Sequence, residues 1–174
     1  MAFRTNIAKA NEGSSIKEEG FYEVIIEDAG VRTLPTSGKQ KISFKYVVRN
    51  DVEQKYKNGY IFHDIWKKKE PNEDDMQVDG FNFAQLMAIS KAARIADDEE
   101  FQDVGAFLKA LIGKPIKVHL YHDEYNGKTY EKIDKHYPTE YSDVKHKPKE
   151  KPATNETFAA QPAAATKSDD DYPF

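Results

Sequence analysis

Residues 120–133 read Leu-Tyr-His-Asp-Glu-Tyr-Asn-Gly-Lys-Thr-Tyr-Glu-Lys-Ile and predict a β-hairpin. The central Asn126-Gly127 suits a type I′ turn, because both turn positions need a positive φ. That turn predicts four cross-strand pairs: Tyr125 with Lys128, Asp123 with Tyr130, Tyr121 with Lys132, and Leu120 with Ile133. One face of the hairpin then carries Tyr121, Tyr125, Lys128, Tyr130 and Lys132, and the other carries Leu120, Thr129 and Ile133.

Three further strands are predicted before the hairpin. Residues 21–27 and 42–49 alternate apolar side chains with acidic or mostly basic ones, and residues 60–68 are rich in aromatic rings. Turn signals separate the three strands, a cluster at 34–39 and Asn58-Gly59. We expect Phe44, Tyr46 and Phe62 to fill the core, since they share a face with other apolar residues.

The apolar period lengthens to that of a helix between the third strand and the hairpin. Asp79 is predicted to cap a first helix with the apolar stripe Phe83, Leu86, Ile89, Ala93 and Ala96. A second stripe, Val104, Leu108, Leu111 and Ile112, is followed by the stop signals Gly113 and Pro115. Both stripes are expected to face the core.

This order predicts a mainly β domain with a helical insertion. Five strands with helices between strands 3 and 4 are typical of an OB-like, five-stranded Greek-key barrel. A β-grasp or another α+β arrangement is the alternative. We divide the chain into an unassigned N-terminal segment (1–19), the OB-like domain (20–141), a disordered linker (142–168) and an acidic tip (169–174).

Composition narrows the class of protein. The chain has no cysteine, no apolar run long enough for a membrane span and no apolar stretch typical of a signal peptide, which favours a cytoplasmic protein. The linker is rich in Ala, Pro and charged residues and cannot bury enough apolar surface to fold. The net charge of -4 neither demands nor excludes nucleic-acid binding, because a binding groove needs only local positive potential.

The sequence does not favour an enzyme. It has no glycine-rich phosphate loop, nucleophile elbow or His-Glu-x-x-His helix. His119 and His122 lie three apart on a predicted strand and therefore on opposite faces, which disfavours a shared metal. We predict no catalytic residue, no metal and no cofactor.

Lysines and rings interleave along the predicted strands in a pattern suited to single-stranded DNA. Binding of such DNA needs cations along the backbone and flat rings on which bases stack. OB-folds use strands 2 and 3 with the first and last loops for this purpose. The predicted DNA-binding residues are Lys39, Lys41, Lys45, Arg49, Tyr60, Trp66, Lys67, Lys68, Tyr125, Lys128, Tyr130 and Lys132.

The tip Asp169-Asp170-Asp171-Tyr172-Pro173-Phe174 predicts a partner-binding linear motif. The Phe174 ring can enter a pocket, its carboxylate can pair with an arginine or lysine, and Pro173 lowers the cost of ordering. The tip resembles that of bacterial single-stranded-DNA-binding proteins, which typically end Asp-Asp-Asp-Ile-Pro-Phe, with Tyr172 in place of the isoleucine. This resemblance implies recruitment of replication, recombination and repair proteins and an oligomeric OB-fold.

Residues 20–138 resemble a family of phage-encoded proteins found beside recombination genes. The resemblance rests on Gly20-Phe21-Tyr22-Glu23-Val24, Ser37-Gly38-Lys39, Gly59-Tyr60, the strand of Trp66, and Tyr125-Asn126-Gly127-Lys128 followed by Tyr130. It implies single-stranded-DNA binding in the cytoplasm of a bacterial host. A strand-annealing recombinase, or a scaffold that recruits nucleases through the tip without binding DNA, are the alternatives, and either a dimer or a tetramer fits.

Overall fold

The computed structural model describes Ala2, residues 4–6 and residues 16–148. The strands are β1 (Gly20–Thr33), β2 (Gln40–Val48), β3 (Tyr60–Trp66), β4 (Pro115–Tyr125) and β5 (Lys128–Pro138). The helices α1 (Glu73–Met76), α2 (Phe83–Ala92) and α3 (Val104–Leu111) lie between β3 and β4. The acidic tip and the linker from residue 149 onward lie outside the described residues.

The five strands form one antiparallel sheet in the order β3-β2-β1-β4-β5. The long first strand makes this order possible: residues 24–33 of β1 pair with β2, and residues 20–25 pair with β4. A bulge between Ile26 and Asp28 bends β1 just after the residues that pair with β4. The predicted fold class is confirmed: the domain is mainly β and OB-like, with its helices between strands 3 and 4.

Side chains, rather than a backbone ladder, bring the two edge strands together. Within residues 16–148, no ladder of backbone hydrogen bonds joins β3 to β5, so the sheet is open between these two edge strands. At one end of this seam the rings of His63 and His136 lie 5.0 Å apart, and the Tyr46 hydroxyl lies 2.8 Å from His136 Nε2. At the other end Lys17 Nζ donates to the Tyr60 carbonyl at 2.8 Å and lies 3.6 Å from Glu131.

Because side chains alternate along each strand, the inner face of the sheet carries apolar side chains. Tyr22, Val24 and Ile26 of β1 face inward, and the predicted core residues Phe44 and Tyr46 of β2 are buried. The helices cover the open end of this core with Leu86, Ile89, Leu108 and Leu111.

The hairpin has the predicted register. Tyr125 pairs with Lys128, Asp123 with Tyr130, Tyr121 with Lys132 and Leu120 with Ile133. Asn126 and Gly127 have φ values of 53° and 75°, as a type I′ turn requires. A single bulge beside His119 and Leu120 then shifts the pairing of the rest of β5.

The helix caps differ from the prediction. Asn82, not Asp79, caps α2, because its side chain accepts the Gln85 N–H, while Asp79 has a φ of 57° and precedes Gly80 in a tight turn. The short helix α1, which precedes this turn, was not predicted. Ala96 falls beyond the end of α2, and Ile112 is exposed beyond the end of α3.

A buried arginine fastens residues 139–147, here called the C-terminal strap, to the sheet. The Arg49 guanidinium has no exposed surface and donates to Asp51 Oδ2 at 2.6 Å and to the carbonyl of Tyr141 at 2.7 Å. Thr139 receives a further bond from Arg49 and donates to the carboxylate of Glu23. The guanidinium holds the pKa of Asp51 at about 2, chiefly through its hydrogen bonds.

The strap extends past the predicted domain boundary at Tyr141. The Lys145 N–H donates to Asp51, and Asn50 exchanges hydrogen bonds with the backbone of Lys147 at 2.7 and 3.0 Å. The first residues assigned to the linker therefore contact the domain through their backbone.

Replacing Arg49 by Met should destabilise the domain by about 3–5 kcal/mol, because Asp51 and Glu23 would lose the partner of their charges. Urea unfolding followed by circular dichroism measures this change. Lys55→Met, which removes an exposed ion pair to Glu18, is the matched control and should leave the midpoint unchanged. Equal midpoints for the Arg49 variant and the wild type would contradict a structural role for the guanidinium.

The two seam histidines should make stability depend on pH. Burial lowers the pKa of His63 to about 4 and that of His136 to about 3, below the unfolded value of about 6.5. Below pH 6.5 the unfolded chain therefore binds more protons than the folded chain. The free energy of unfolding should fall by up to about 1.4 kcal/mol per pH unit for each histidine as the pH drops from 6.5 towards 4.

Urea unfolding at several pH values between 7 and 4 tests this slope. His63→Phe keeps a ring in the seam and should remove roughly half of the slope, since one of two histidines remains. Met76→Ala, at an exposed side chain that does not titrate, is the control and should leave the slope as it is. A wild-type slope of zero across this range would show that the histidines are not held neutral by burial.

Candidate nucleic-acid interface

The outer surface of β2 and β3 carries alternating lysines and aromatic rings. Cross-strand pairs place Lys41 opposite Trp66, Lys45 opposite Phe62 and Val47 opposite Tyr60. The rings are exposed by 39% at Tyr60, 61% at Phe62 and 46% at Trp66. We call Lys41, Lys45, Tyr60, Phe62 and Trp66 the aromatic–lysine face.

Each lysine of this face lies over a ring and beside a carboxylate. Lys45 Nζ is 4.2 Å from the centre of the Tyr60 ring and 3.1 Å from Glu27, whose hydrogen bond raises the pKa of Lys45. Lys41 Nζ is 5.3 Å from the centre of the Trp66 ring and 2.9 Å from Asp64. These partly exposed ion pairs are weak, so a phosphate can replace the carboxylate as the partner of either ammonium.

Phe62 corrects the prediction that it fills the core. On β3 the inward positions are Ile61 and Ile65, both buried, so Phe62 points outward with Tyr60 and Trp66. The sequence already indicated this orientation. Residues two apart on a strand lie on the same side, so Ile61 and Ile65 mark the buried side and leave Phe62 on the exposed side.

Arg49, which was predicted to bind DNA, is buried instead of exposed. Its position continues the outward series of Lys41 and Lys45, yet the strap covers it and the side chain has no exposed surface. Its guanidinium nitrogens are already bonded to Asp51, Thr139 and the strap, so Arg49 is not available to a phosphate in this structure.

The three other lysines near the strand ends differ in their partners. Lys39 is exposed in the loop between β1 and β2, and Lys67 Nζ donates to Gln40 at 3.0 Å. Lys68 is bonded to the buried Asp75 at 2.7 Å, and this bond, with the N–H groups of Phe83 and Asn72, holds the pKa of Asp75 at about 2. Lys68 therefore fastens α1 to the end of β3, whereas Lys39 and Lys67 border the aromatic–lysine face.

The hairpin forms a second group of exposed rings and lysines. Tyr125 is 67% exposed and Tyr130 is 43% exposed, and they share their face with Lys128 and Lys132. Lys132 Nζ lies 3.1 Å from Asp123 on the opposite strand. The described link to the aromatic–lysine face is Lys17, which contacts both Tyr60 and Glu131.

A third exposed cluster was missed. Phe21 is 58% exposed, its ring lies 4.8 Å from that of His119, and Lys117 Nζ is 5.2 Å from Phe21 and 5.9 Å from Tyr137. Lys117 also pairs with Glu140 of the strap. Strand alternation in the sequence indicated this exposure, because Phe21 lies on the side of β1 opposite to the buried Tyr22.

The histidines flagged in the sequence have separate environments. His119 Nδ1 lies 2.7 Å from Asp134, whereas His122 Nε2 bonds the Lys17 carbonyl on the other side of the strand. In the part of the chain that the structure describes, no group of three or more His, Asp or Glu residues is arranged to hold a metal ion. None of the described helices is long and apolar enough to cross a membrane.

Comparisons with known proteins identify a family and a structural likeness. No curated protein sequence matches the chain. A structure titled "Yeast RPA bound to ssDNA" aligns with 81% of this chain and 90% of its own, at 10% identity and a TM-score of 0.32. Residues 3–152, most of the chain, match the family described as "Protein of unknown function (DUF669)", and the chain therefore belongs to that family.

Proposed function

We propose that this protein binds single-stranded DNA without sequence preference and without catalysis, through the aromatic–lysine face. The observation that carries the proposal is the set of three exposed rings on the outer face of β3, Tyr60, Phe62 and Trp66, flanked by Lys41 and Lys45. Rings in that arrangement stack on bases of any identity, and the ammonium groups neutralise phosphates.

The spacing of the rings suits an unstacked strand. Tyr60 and Phe62 are two residues apart on β3 and so roughly 6.7 Å apart, about twice the thickness of a stacked base pair, while Phe62 and Trp66 are four residues apart and so roughly 13 Å apart. Bases held on Tyr60, Phe62 and Trp66 are therefore spread apart, which only a single strand allows. The rings contribute on the order of 1–3 kcal/mol per stacked base.

The exposure of Phe62 also favours a ligand over a purely structural role. A phenylalanine that filled the core would be shielded from water, yet this ring is among the most exposed apolar side chains of the described residues. Contiguous exposed rings on a soluble domain commonly mark a binding surface. Because lysines flank the rings, the ligand they suit is anionic as well as aromatic.

The wider role follows from the tip and from the family resemblance of the sequence. We propose that the protein protects single strands during phage DNA replication, recombination and repair in the bacterial cytoplasm. Residues 169–174 would recruit the enzymes of these processes, and a dimer or tetramer would present several DNA-binding faces. Three aspartates and Phe174 support such recruitment, because a basic pocket of a partner with an apolar floor could hold both groups.

Fluorescence of Trp66, the single tryptophan, titrated with oligo-dT tests DNA binding. We expect saturable quenching at low salt and weaker binding at high salt, because bound phosphates release counterions. Phe62→Ala should weaken binding roughly tenfold, through the loss of one stacked base. Phe21→Ala, which removes an equally exposed ring elsewhere, is the matched control and should leave the affinity unchanged.

The lysines are tested by the salt dependence itself. Lys41→Ala with Lys45→Ala should lower the slope of log K against log salt by about 1.4, or about 0.7 for each lost phosphate contact. Lys109→Ala, on the exposed side of α3, should not change the slope. No saturable binding by the wild type, or binding indifferent to salt, would refute the proposal.

Removal of residues 169–174 separates the two proposed activities. The affinity for oligo-dT should stay the same or rise slightly, since three aspartates would no longer compete for the lysines. Capture of replication and recombination proteins from a bacterial extract should be lost, even when Phe174 alone is deleted. Loss of DNA binding on either deletion would contradict the modular arrangement.

A further inference from the structure

A groove of about 1070 Å³ lies on the helical side of the domain, bounded by α2, the connection of residues 93–103 and α3. Its floor contains the partly exposed apolar side chains Val78, Met87, Ile95 and Phe101. The Phe101 ring packs edge-on against Phe107 at 5.3 Å, and Phe107 belongs to the core. The floor is therefore a solvent-accessible extension of the hydrophobic core.

The rim of the groove is strongly acidic. Its five carboxylates are exposed: Asp97, Asp98, Glu99, Glu100 and Asp103. Within residues 16–148, no ion pair joins any of these five to a basic group. Lys91 is the single basic residue among those that line the groove, so the uncompensated charge is negative.

The negative charge of the rim determines which class of ligand can bind in the groove. A nucleic-acid backbone would be repelled by the five carboxylates, and so would the acidic tip of the chain itself. A complementary ligand carries positive charge to meet the rim and apolar groups to cover the floor. Basic amphipathic helices combine these two features, with apolar side chains at positions i, i+3, i+4 and i+7.

We propose that this groove binds a basic amphipathic helix of a protein partner. Its volume of about 1070 Å³ lies at the upper end of the usual range for small-ligand pockets, roughly 300–1,000 Å³, and its acidic rim is exposed, which suits a peptide better than an enclosed small molecule. The helix would lay its apolar side chains on Met87, Ile95 and Phe101, and its lysines or arginines would meet the acidic rim. Rim charges of this kind speed association and select the partner.

The site is separate from the aromatic–lysine face, and its charged side chains are mostly acidic. The groove is built from the turn after α1, from α2 and α3 and from the connection between these two helices, whereas the proposed DNA face is built from β2 and β3. A bound helix and a bound DNA strand would therefore not compete. The proposal does not depend on DNA binding, and either can fail alone.

Fluorescence anisotropy with the full chain tests the proposal. The probe is a labelled 14-residue peptide of leucine and lysine in amphipathic helical order. Two comparison peptides have glutamate in place of lysine, or the same composition without the amphipathic order. We expect saturable micromolar binding of the first peptide alone, weakened roughly tenfold by Phe101→Ala and by the triple change Asp98→Asn, Glu99→Gln and Glu100→Gln.

Acidic residues elsewhere supply the controls. Glu73→Gln with Asp74→Asn on α1, and neutralisation of Asp169, Asp170 and Asp171 in the tip, should leave the affinity for the peptide unchanged. Amide shifts in NMR spectra should map the bound peptide to residues 78–107, and saturating oligo-dT should not displace it.

The proposal is overturned if no saturable binding occurs or if the glutamate peptide binds equally well. It is also overturned if shifts map to the tip, or if neutralising α1 or the tip weakens binding as much as neutralising the rim. Amide shifts in the groove caused by oligo-dT alone would show instead that the groove belongs to the nucleic-acid surface.

Discussion

The buried guanidinium of Arg49 is the constraint on which the outer surface of the sheet depends. A charge without access to water is costly unless every donor has a partner, and Arg49 finds its partners in Asp51, Thr139 and the strap carbonyls. Thr139 connects the same network to Glu23 on β1. The central strand, the end of β2 and the chain after β5 are therefore joined by one set of charged hydrogen bonds.

This network separates two of the three exposed aromatic clusters. On one side lie the rings of β3 with the lysines of β2, and on the other lies Phe21 with Lys117 and Tyr137. Glu140 of the strap pairs with Lys117, whereas the neighbours of Lys41 and Lys45 are carboxylates of the sheet. Arg94 donates to the Thr139 carbonyl, so the strap also connects the sheet to the end of α2.

The sequence predicts local features well, such as the register of a hairpin. It predicts poorly which side chains are covered by distant parts of the chain. The register of the hairpin follows from Asn126-Gly127, because a two-residue turn leaves a single pairing for the flanking residues. The outward position of Phe62 was also decidable, since Ile61 and Ile65 occupy the inward parity. The burial of Arg49 was not, because the residues that cover it lie about 90 positions later and include backbone carbonyls without a sequence signature. Asp79 fails for a related reason: a cap is recognised by its local pattern, but the turn after α1 takes this residue into a left-handed conformation.

The formal charge of -4 conceals a segregation that the fold creates. Lysines on β2 and after β3 adjoin the exposed rings, whereas the carboxylates of residues 97–103 gather on the connection between α2 and α3. Since an OB-like domain places its helices between strands 3 and 4, the acidic connection is kept off the β2–β3 face by topology. At physiological ionic strength, fields fall off within about 8 Å, so each surface acts on its own neighbourhood. The fold in this way separates a ring-lined surface that carries lysines from an apolar groove with an acidic rim.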